Sequence, residues 1–243
     1  MVVVLENHAA SSIIGSDQAP YLNQLAATGA SFTESYAITH PSQPNYLALF
    51  SGSTQGVTGD SCPVTFAGPN LATALTAAGF TFTGYSEGLP NAGYTGCSAG
   101  AYARKHNPWV DFTDVSASAN QPFTEFPHDY AALPTVAFVI PDLNHDMHDG
   151  TIAEADTWLR TNLGGYAAWA TAHDSLLVVT FDEDDFSPVN RIATIVAGAH
   201  LRAGQYAERI DHYRLLRTIA ALYGAAAPGA AADTTPITSI WQA

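Results

Sequence analysis

The sequence is poor in basic residues. Eight Lys and Arg side chains stand against 22 Asp and Glu, the formal net charge is −14, and Lys105 is the only lysine. Nucleic acids and anionic membranes are themselves negatively charged, so a chain this acidic is unsuited to binding either of them. It would bind phosphate only where a metal ion or a local basic cluster reverses the field.

Long apolar runs and cysteines are also scarce. No stretch of about 18 apolar residues occurs, so no transmembrane segment is predicted. Met1 runs directly into the predicted strand 2–5 with no secretory leader, as expected of a chain trimmed at its first strand. The two cysteines, Cys62 and Cys97, lie in loop sequence. They predict one disulfide in a secreted or extracytoplasmic protein; two free thiols are the alternative.

The remaining composition is that of a globular protein. With 243 residues, 47% of them hydrophobic, the chain is long enough for one large α/β domain spanning 1–243. Residues 86–130 are rich in Gly, Pro and Asn, and so long an irregular stretch is usually functional. Residues 225–243 are predicted to form a loosely structured tail that docks through Ile237, Ile240 and Trp241.

Apolar strands alternate with helical patterns along the chain. Strands are predicted at 2–5, 80–85, 135–140, 176–181 and 192–197. Helices are predicted at 19–28, after Ser42, at 71–78, at 152–170 with an interruption at Gly164–Gly165, and at 212–223. This alternation predicts an α/β fold, a three-layer α/β/α sandwich around a mainly parallel sheet.

Ser42 lies on a stiff turn, because a proline precedes it and another follows two residues later. A short helix is predicted to follow, with Tyr46, Leu49 and Phe50 forming its apolar face. A serine at a helix N-terminus lies in a positive field, which stabilises a phosphate or a developing oxyanion. The alternative is that Ser42 only caps the helix.

Acidic residues follow three of the predicted strands. Strand 2–5 runs into Glu6-Asn7-His8, strand 135–140 into the Asp- and His-rich segment 141–149, and strand 176–181 into Asp182–Asp185. Acids gathered at one sheet edge repel each other, and a divalent cation relieves that repulsion. Oxygen ligands favour Ca²⁺, Mg²⁺ or Mn²⁺, whereas imidazoles would favour Zn²⁺ or Fe. The alternative is helix capping, for example by Asp149.

One basic cluster stands out against the acidic background, the segment Arg104-Lys105-His106-Asn107-Pro108-Trp109. Placed over the strand ends, it would supply donors to the outer oxygens of a phosphate. The alternative is an ordinary solvated run of charge.

Five motifs occur in a fixed order along the chain. They are Glu6-Asn7-His8, His40-Pro41-Ser42-Gln43-Pro44-Asn45-Tyr46, Ala103-Arg104-Lys105-His106-Asn107-Pro108, the segment from Asp142 to Asp149, and Thr180-Phe181-Asp182-Glu183. Together they resemble the bacterial phosphoesterase family that holds acid phosphatases and phosphatidylcholine-type phospholipases C, within the alkaline phosphatase superfamily. The likeness covers roughly residues 2–224. Because the large insertions of the phospholipase C members are missing, the chain is more similar to the small secreted acid phosphatases.

The resemblance implies a site residue by residue. It implies Ser42 as the nucleophile, with His106 and His148 bonding the phosphate and one of them protonating the leaving group. The implied ligands of one divalent ion (Ca, Mg, Mn or Zn) are Glu6, Asn7, Ser42, Asp182 and Glu183. The implied substrate contacts are Asn45, Lys105 and Asp146. A second ion at Asp142 and His145, as in two-zinc members of the superfamily, stays open.

The implied activity is hydrolysis of a phosphate monoester through a phosphoserine on Ser42. An acidic optimum is expected because the mechanism needs a protonated imidazole, which titrates at about 6.5. The substrate would be a small phosphate ester or a lipid headgroup, and the protein a monomer. Two alternatives remain: a phosphodiesterase of the phospholipase C type, and a non-catalytic, metal-stabilised binding protein on the same fold.

Overall fold

The structure is a computed structural model that describes residues 1–242. The helices are α1 (Ala10–Ile13), α2 (Pro20–Thr28), α3 (Ser42–Ser51), α4 (Leu71–Ala77), α5 (Ile152–Ala170) and α6 (His212–Leu222). The strands are β1 (Val2–Leu5), β2 (Ala30–Phe32), β3 (Ser35–Tyr36), β4 (Phe82–Ser86), β5 (Ser98–Ala99), β6 (Tyr102–Ala103), β7 (Asn120–Pro122), β8 (Val136–Ile140), β9 (Leu176–Phe181), β10 (Thr194–Gly198), β11 (Gly204–Tyr206) and β12 (Ile210–Asp211).

The chain forms two compact units, each assembled from segments distant in sequence. Unit 1 comprises Met1–Ala37, Leu143–Ile210 and the segment that begins at Thr238. Unit 2 comprises Ile38–Asp142 and Asp211–Ile237. The single domain over 1–243 stays a prediction.

Unit 1 is built on strands hydrogen-bonded in the order β11-β2-β10-β9-β1. β1 pairs with β9 in parallel, with Val2 opposite Val178 and Leu5 opposite Phe181. Every residue of β1 is buried, as expected of a wholly apolar strand covered on both faces. The predicted strands 2–5 and 176–181 are therefore confirmed at both ends, and each leads directly into acidic residues.

Strand β10 runs antiparallel to both of its neighbours, β9 and β2. A parallel return needs a crossover of a dozen or more residues, usually a helix. Residues 182–193 between β9 and β10 form turns instead, so the chain reverses directly. Within the two units the strand pairing is mixed but mainly parallel, since β1–β9 and β2–β11 of unit 1 pair in parallel, as do β4–β8 and β4–β7 of unit 2. The predicted α/β class is confirmed.

Helices α2 and α5 pack against each other and against β10. The buried carboxylate of Asp156 on α5 accepts hydrogen bonds from the backbone N of Tyr21 (3.0 Å) and of Leu22 (2.8 Å), and so satisfies the first turn of α2. The predicted interruption of α5 at Gly164–Gly165 is wrong, because the flanking side chains are buried and hold the helix to the sheet.

The N-terminus of α5 is fixed by a capping box. The Thr151 hydroxyl accepts from the backbone N of Glu154, and the Glu154 carboxylate accepts from the backbone N of Thr151. Asp149, considered as the cap from the sequence, instead pairs with the ring of His148. Asp149 therefore does not cap α5.

Unit 2 is built on strands in the order β8-β4-β7, all parallel. Helix α3 packs on α6, and α4 packs on α6 and β4. Phe50 of α3 contacts the rings of Phe82 and Phe138 at centroid distances of 5.3 and 6.1 Å. All ten residues of α3 are buried, including Tyr46, Leu49 and Phe50 of the predicted apolar face, so α3 is a central helix that is covered on every side.

Of the residues predicted to dock the tail, Ile237 and Ile240 are 2% and 1% exposed. Leu201 pairs with Trp241 in an isolated bridge. Among residues 1–242, none of the helices combines the length and hydropathy of a bilayer-crossing segment.

A disulfide joins Cys62 to Cys97 in unit 2, with Cα atoms 5.8 Å apart and a sequence separation of 35. The predicted bridge is confirmed. It connects the loop after α3 to the irregular segment that leads into Arg104–His106, which forms one 3₁₀ turn.

Reducing this disulfide is expected to lower the free energy of unfolding by about 3–4 kcal/mol, because the unfolded chain regains the entropy of the opened loop. Urea titrations with and without reductant measure the change. The Cys62→Ser/Cys97→Ser double variant is the control, since reductant should not shift its midpoint. Equal midpoints for the wild-type protein in both conditions would contradict the prediction.

Candidate active site

Ser42 is the first residue of α3 and is 3% exposed. The N-cap position belongs to Pro41, whose ring has no hydrogen-bonding group. Ser42 is therefore not the N-cap residue of α3. Its hydroxyl lies at the positive end of a ten-residue helix, where an anion is stabilised.

Asn45 holds the turn that carries Ser42. Its amide oxygen accepts from the backbone N of Ile38 and of Thr39, each at 3.0 Å. Its amide nitrogen donates to the carbonyls of Thr39 (2.8 Å) and Pro41 (3.2 Å). These four bonds use the ordinary capacity of a side-chain amide. Asn45 thus shapes the turn before Ser42. Its predicted contact with substrate stays a prediction.

His106 packs against the same helix. Its ring stacks on Tyr46, with centroids 5.0 Å apart and planes at 14°, and it is 1% exposed. Tyr46 follows Ser42 by one helical turn, so the two residues share a face of α3. The stacking therefore places His106 beside the helix face that carries Ser42.

The basic cluster divides into residues with different surroundings. Arg104 is buried, and its Nε and NH2 groups donate to Asp111 Oδ1 at 3.0 and 2.9 Å. Its guanidinium also donates to the carbonyls of Thr95 (2.6 Å) and Val64 (3.0 Å). The alternative of a solvated charge run is wrong for Arg104, which joins three segments of unit 2.

Replacing Asp111 with asparagine is expected to destabilise the protein by about 3–5 kcal/mol, because the Arg104 charge would stay buried without its counter-ion. Chemical or thermal unfolding measures the loss. Asp129→Asn is the matched control: Asp129 caps a short turn through the backbone N of Ala131, and asparagine caps as well as aspartate. Equal effects of the two substitutions would contradict the prediction.

Lys105 forms an ion pair with Asp60, with 2.7 Å between Nζ and Oδ2. The other oxygen of Asp60 accepts from the backbone N of Gln43 at 3.1 Å. Burial alone would raise the pKa of the Asp60 carboxyl, but the hydrogen bonds from Lys105 and from Gln43 outweigh it and hold the pKa below its usual range. Asp60 was not predicted as a site residue.

Unit 1 gathers buried acids beyond the ends of β1 and β9. Glu6 and Glu183 have no exposed surface, and Asp182 is 1% exposed. The backbone N of Asn7 donates to Asp182 Oδ1 at 3.1 Å. The strand pairing of β1 with β9 thus brings the predicted ligands Glu6, Asn7, Asp182 and Glu183 to one edge of unit 1.

These donors suit a divalent cation. The Asn7 amide oxygen is buried and accepts no hydrogen bond from any residue in 1–242. Buried polar atoms are normally satisfied, and a buried carboxylate needs a compensating charge. A set of three carboxylates and one amide oxygen is typical of sites for hard ions. The residues present therefore fit a metal ion.

Asp146 connects the other predicted residues of unit 1. Its backbone O accepts from Glu6 N at 2.7 Å, and its Oδ1 accepts from His148 N at 2.8 Å. Ligand atoms of Glu6 and His148 lie within 4.8 Å of each other. The ring of His148 bonds Asp149 through Nδ1 at 2.7 Å. Met147, which lies between Asp146 and His148 in the sequence, has a φ of 82°. This backbone conformation is uncommon and is often found at functional sites.

The residues considered for a second ion fall in different units. In unit 2 the Glu87 carboxylate accepts from the backbone N of Asp142 at 3.0 Å. In unit 1 the ring of His145 stacks on Trp158 at 6.2 Å. The second ion stays a prediction.

The chain is similar in sequence to known phosphatases. The profile of the Phosphoesterase family matches residues 7–226. A phosphatidylinositol-3-phosphatase of Mycobacterium tuberculosis is 51% identical over 244 residues, which cover 99% of this chain and 82% of that protein. A phosphate-repressible acid phosphatase of Penicillium chrysogenum is 32% identical, over 84% of this chain and 54% of that protein. The chain thus spans about half of the length of this fungal relative.

Two solved structures share the fold. A phosphonate monoester hydrolase from Silicibacter pomeroyi aligns over 98% of this chain and 75% of its own, with a TM-score of 0.69 and 13% identity. A protein of the alkaline phosphatase superfamily from Vibrio parahaemolyticus aligns over 98% of this chain and 70% of its own, with a TM-score of 0.62 and 15% identity. At these identities the likeness concerns the fold alone.

Proposed function

This chain belongs to the phosphoesterase family and is a phosphoric ester hydrolase, and we propose that it hydrolyses phosphate monoesters through a phosphoserine on Ser42. The observation that carries the proposal is the buried serine at the first position of α3. The relatives named above, a phosphatidylinositol-3-phosphatase and an acid phosphatase, support a monoester substrate.

Ser42 would attack the phosphorus atom. The four hydrogen bonds of Asn45 hold the preceding turn, so the hydroxyl is positioned before the substrate arrives, which lowers the entropic cost of attack. The N-terminus of α3 contributes a fixed positive field where negative charge gathers on the phosphoryl oxygens.

Glu6, Asn7, Asp182 and Glu183 would hold one divalent cation, with the Ser42 oxygen as a further ligand. A bound divalent ion lowers the pKa of a serine hydroxyl and neutralises phosphate charge. The burial of the carboxylates and the unsatisfied Asn7 oxygen support this assignment.

One histidine would protonate the leaving alkoxide and then deprotonate the water that hydrolyses the phosphoserine. In His148, Nδ1 bonds the Asp149 carboxylate, which orients the ring for proton transfer. His106, stacked on Tyr46, would donate a hydrogen bond to the phosphate. Lys105 would add positive charge on the nucleophile side.

An exported location is proposed from the disulfide.

A matched pair of substrates tests the monoester assignment. We expect kcat/KM for p-nitrophenyl phosphate to exceed that for bis(p-nitrophenyl) phosphate by at least about 100-fold, or about 2.7 kcal/mol of transition-state stabilisation. The two esters release the same alcohol, so the comparison isolates the charge and bulk of the phosphoryl group. A preference for the diester would replace this proposal with the phospholipase C type of activity.

A further inference from the structure

Asp60 connects the chain next to Ser42 with the only lysine of the protein. Its Oδ1 accepts from the backbone N of Gln43 at 3.1 Å, and its Oδ2 accepts from Lys105 Nζ at 2.7 Å. A third bond closes the arrangement, because Gln43 Oε1 accepts from the backbone N of Ser61 at 2.7 Å. Both carboxylate oxygens of Asp60 are thus engaged by groups from two other segments.

The hydrogen bond from the backbone N of Gln43 to Asp60 caps the N-terminus of α3. The first N–H groups of a helix have no partner within the helix, and Pro41 at the N-cap offers no side-chain acceptor. Asp60, which follows Gln43 by 17 residues, supplies that acceptor from another segment. A carboxylate at this position also complements the positive end of the helix. The backbone on the C-terminal side of Ser42 is thereby fixed from outside the helix.

The segment that carries Asp60 is itself anchored. Cys62 is bonded to Cys97, and the backbone N of Arg104 donates to the carbonyl of Cys97 at 3.0 Å. The Arg104 guanidinium donates to the carbonyls of Val64 and Thr95, on either side of the disulfide. Asp60 and Lys105 therefore approach each other from two loops that are joined covalently and by a buried arginine.

We propose that Asp60 is a positioning residue, whose carboxylate holds the Ser42 turn and the Lys105 ammonium in one fixed arrangement for phosphate transfer. An isolated ion pair at the surface contributes little, and the side chains of Lys105 and Asp60 are 20% and 30% exposed. The role of Asp60 lies in geometry: it fixes a flexible four-carbon side chain and the backbone beside the nucleophile. The proposal rests on the proposed function, since it requires Ser42 to be the nucleophile.

A double-mutant cycle on Asp60 and Lys105 tests the proposal, with kcat and KM for p-nitrophenyl phosphate as the readout. Asp60→Asn keeps an oxygen that can accept from Gln43 but loses the charge that holds Lys105. We expect it to lower kcat/KM by about 10–100-fold, because a misplacement of about 1 Å in a reacting arrangement can cost about 10²-fold. In a Lys105→Met background the same substitution should change kcat/KM less than about twofold, because the group that it positions is gone.

Two further variants separate positioning from general stability. Lys105→Arg keeps a cation that can bond Asp60, so it should retain more activity than Lys105→Met. Asp60→Ala removes both bonds, so it should lose more activity than Asp60→Asn and also lower the midpoint of thermal unfolding. Wild-type kinetics for Asp60→Asn, or fully additive effects in the cycle, would overturn the proposal.

Failure of the proposed function looks different. If Ser42→Ala kept its turnover, both the phosphoserine mechanism and the role of Asp60 would be overturned. If Ser42→Ala were inactive while Asp60→Asn behaved as the wild-type protein, only the positioning role would fall.

Discussion

Replacing Ser42 with alanine is expected to reduce turnover of a phosphate monoester by at least about 10⁴-fold, with the fold retained. Removal of a nucleophile from a hydrolase can cost about 10⁶-fold in kcat, because no other group can form the covalent intermediate. Ser42 is the first residue of α3, where alanine has the better helix propensity. The unfolding midpoint should therefore change little while activity disappears.

Ser51→Ala is the matched control for this substitution. Ser51 is the last residue of the same helix, is also buried, and donates to the carbonyl of Leu47 at 2.8 Å. Its loss should cost about 1 kcal/mol of stability and leave kcat within about twofold. Rapid acid quenching should trap a phosphorylated enzyme in the wild-type protein and in Ser51→Ala, but none in Ser42→Ala. Unchanged turnover in Ser42→Ala would show that hydrolysis does not proceed through a phosphoserine on Ser42.

Replacing Asp182 with asparagine is expected to lower metal affinity and turnover together, each by at least about 100-fold. The loss of a group that only orients a metal ligand typically costs about 10–100-fold, so the loss of a ligand should cost more. Asp182 is 1% exposed, and its Oδ1 accepts a hydrogen bond from the backbone N of Asn7. Asparagine keeps the size of this side chain. The substitution therefore removes one negative charge from the acidic edge of unit 1 and changes little else.

Asp185→Asn is the control, because Asp185 belongs to the same acidic run but is exposed. It should keep the metal content and the activity of the wild-type protein. Elemental analysis of the purified proteins gives the metal content. Activity after chelation and after re-addition of Ca²⁺, Mg²⁺, Mn²⁺ or Zn²⁺ identifies the ion. Full activity in EDTA, with no metal in the wild-type protein, would contradict the assignment.

The parts of the fold that the sequence predicted correctly are those with strong local patterns. The apolar runs at Val2–Leu5 and Leu176–Phe181 and the long helix Ile152–Ala170 have the predicted bounds. The direction of β10 was not predictable from its own residues, since it depends on the turns between it and β9. The two short strands β2 and β11 carry too few residues for a periodic signal and become strands through their partners.

The candidate site shows the same division. The acids were predictable because they directly follow apolar strands, and parallel strands bring their ends to one edge. Arg104 and Lys105 are neighbours in sequence, yet one is buried against Asp111 while the other pairs with Asp60. Nothing in a run of basic residues distinguishes these roles. Asp60 was missed because its partners lie 17 and 45 residues away in sequence, and only the folded loops bring them together.

The single lysine also determines how this protein can be handled chemically. Reagents that acylate side-chain amines have one target, Lys105, which bonds Asp60 in the loop beside the helix of Ser42. A fluorophore attached there would be a site-specific reporter at a defined position, without any engineered residue. For the same reason, any attachment of this protein to an amine-reactive support through a lysine side chain would be made in the loop next to Ser42, whereas coupling through its 22 Asp and Glu side chains would spread the attachment points over many positions.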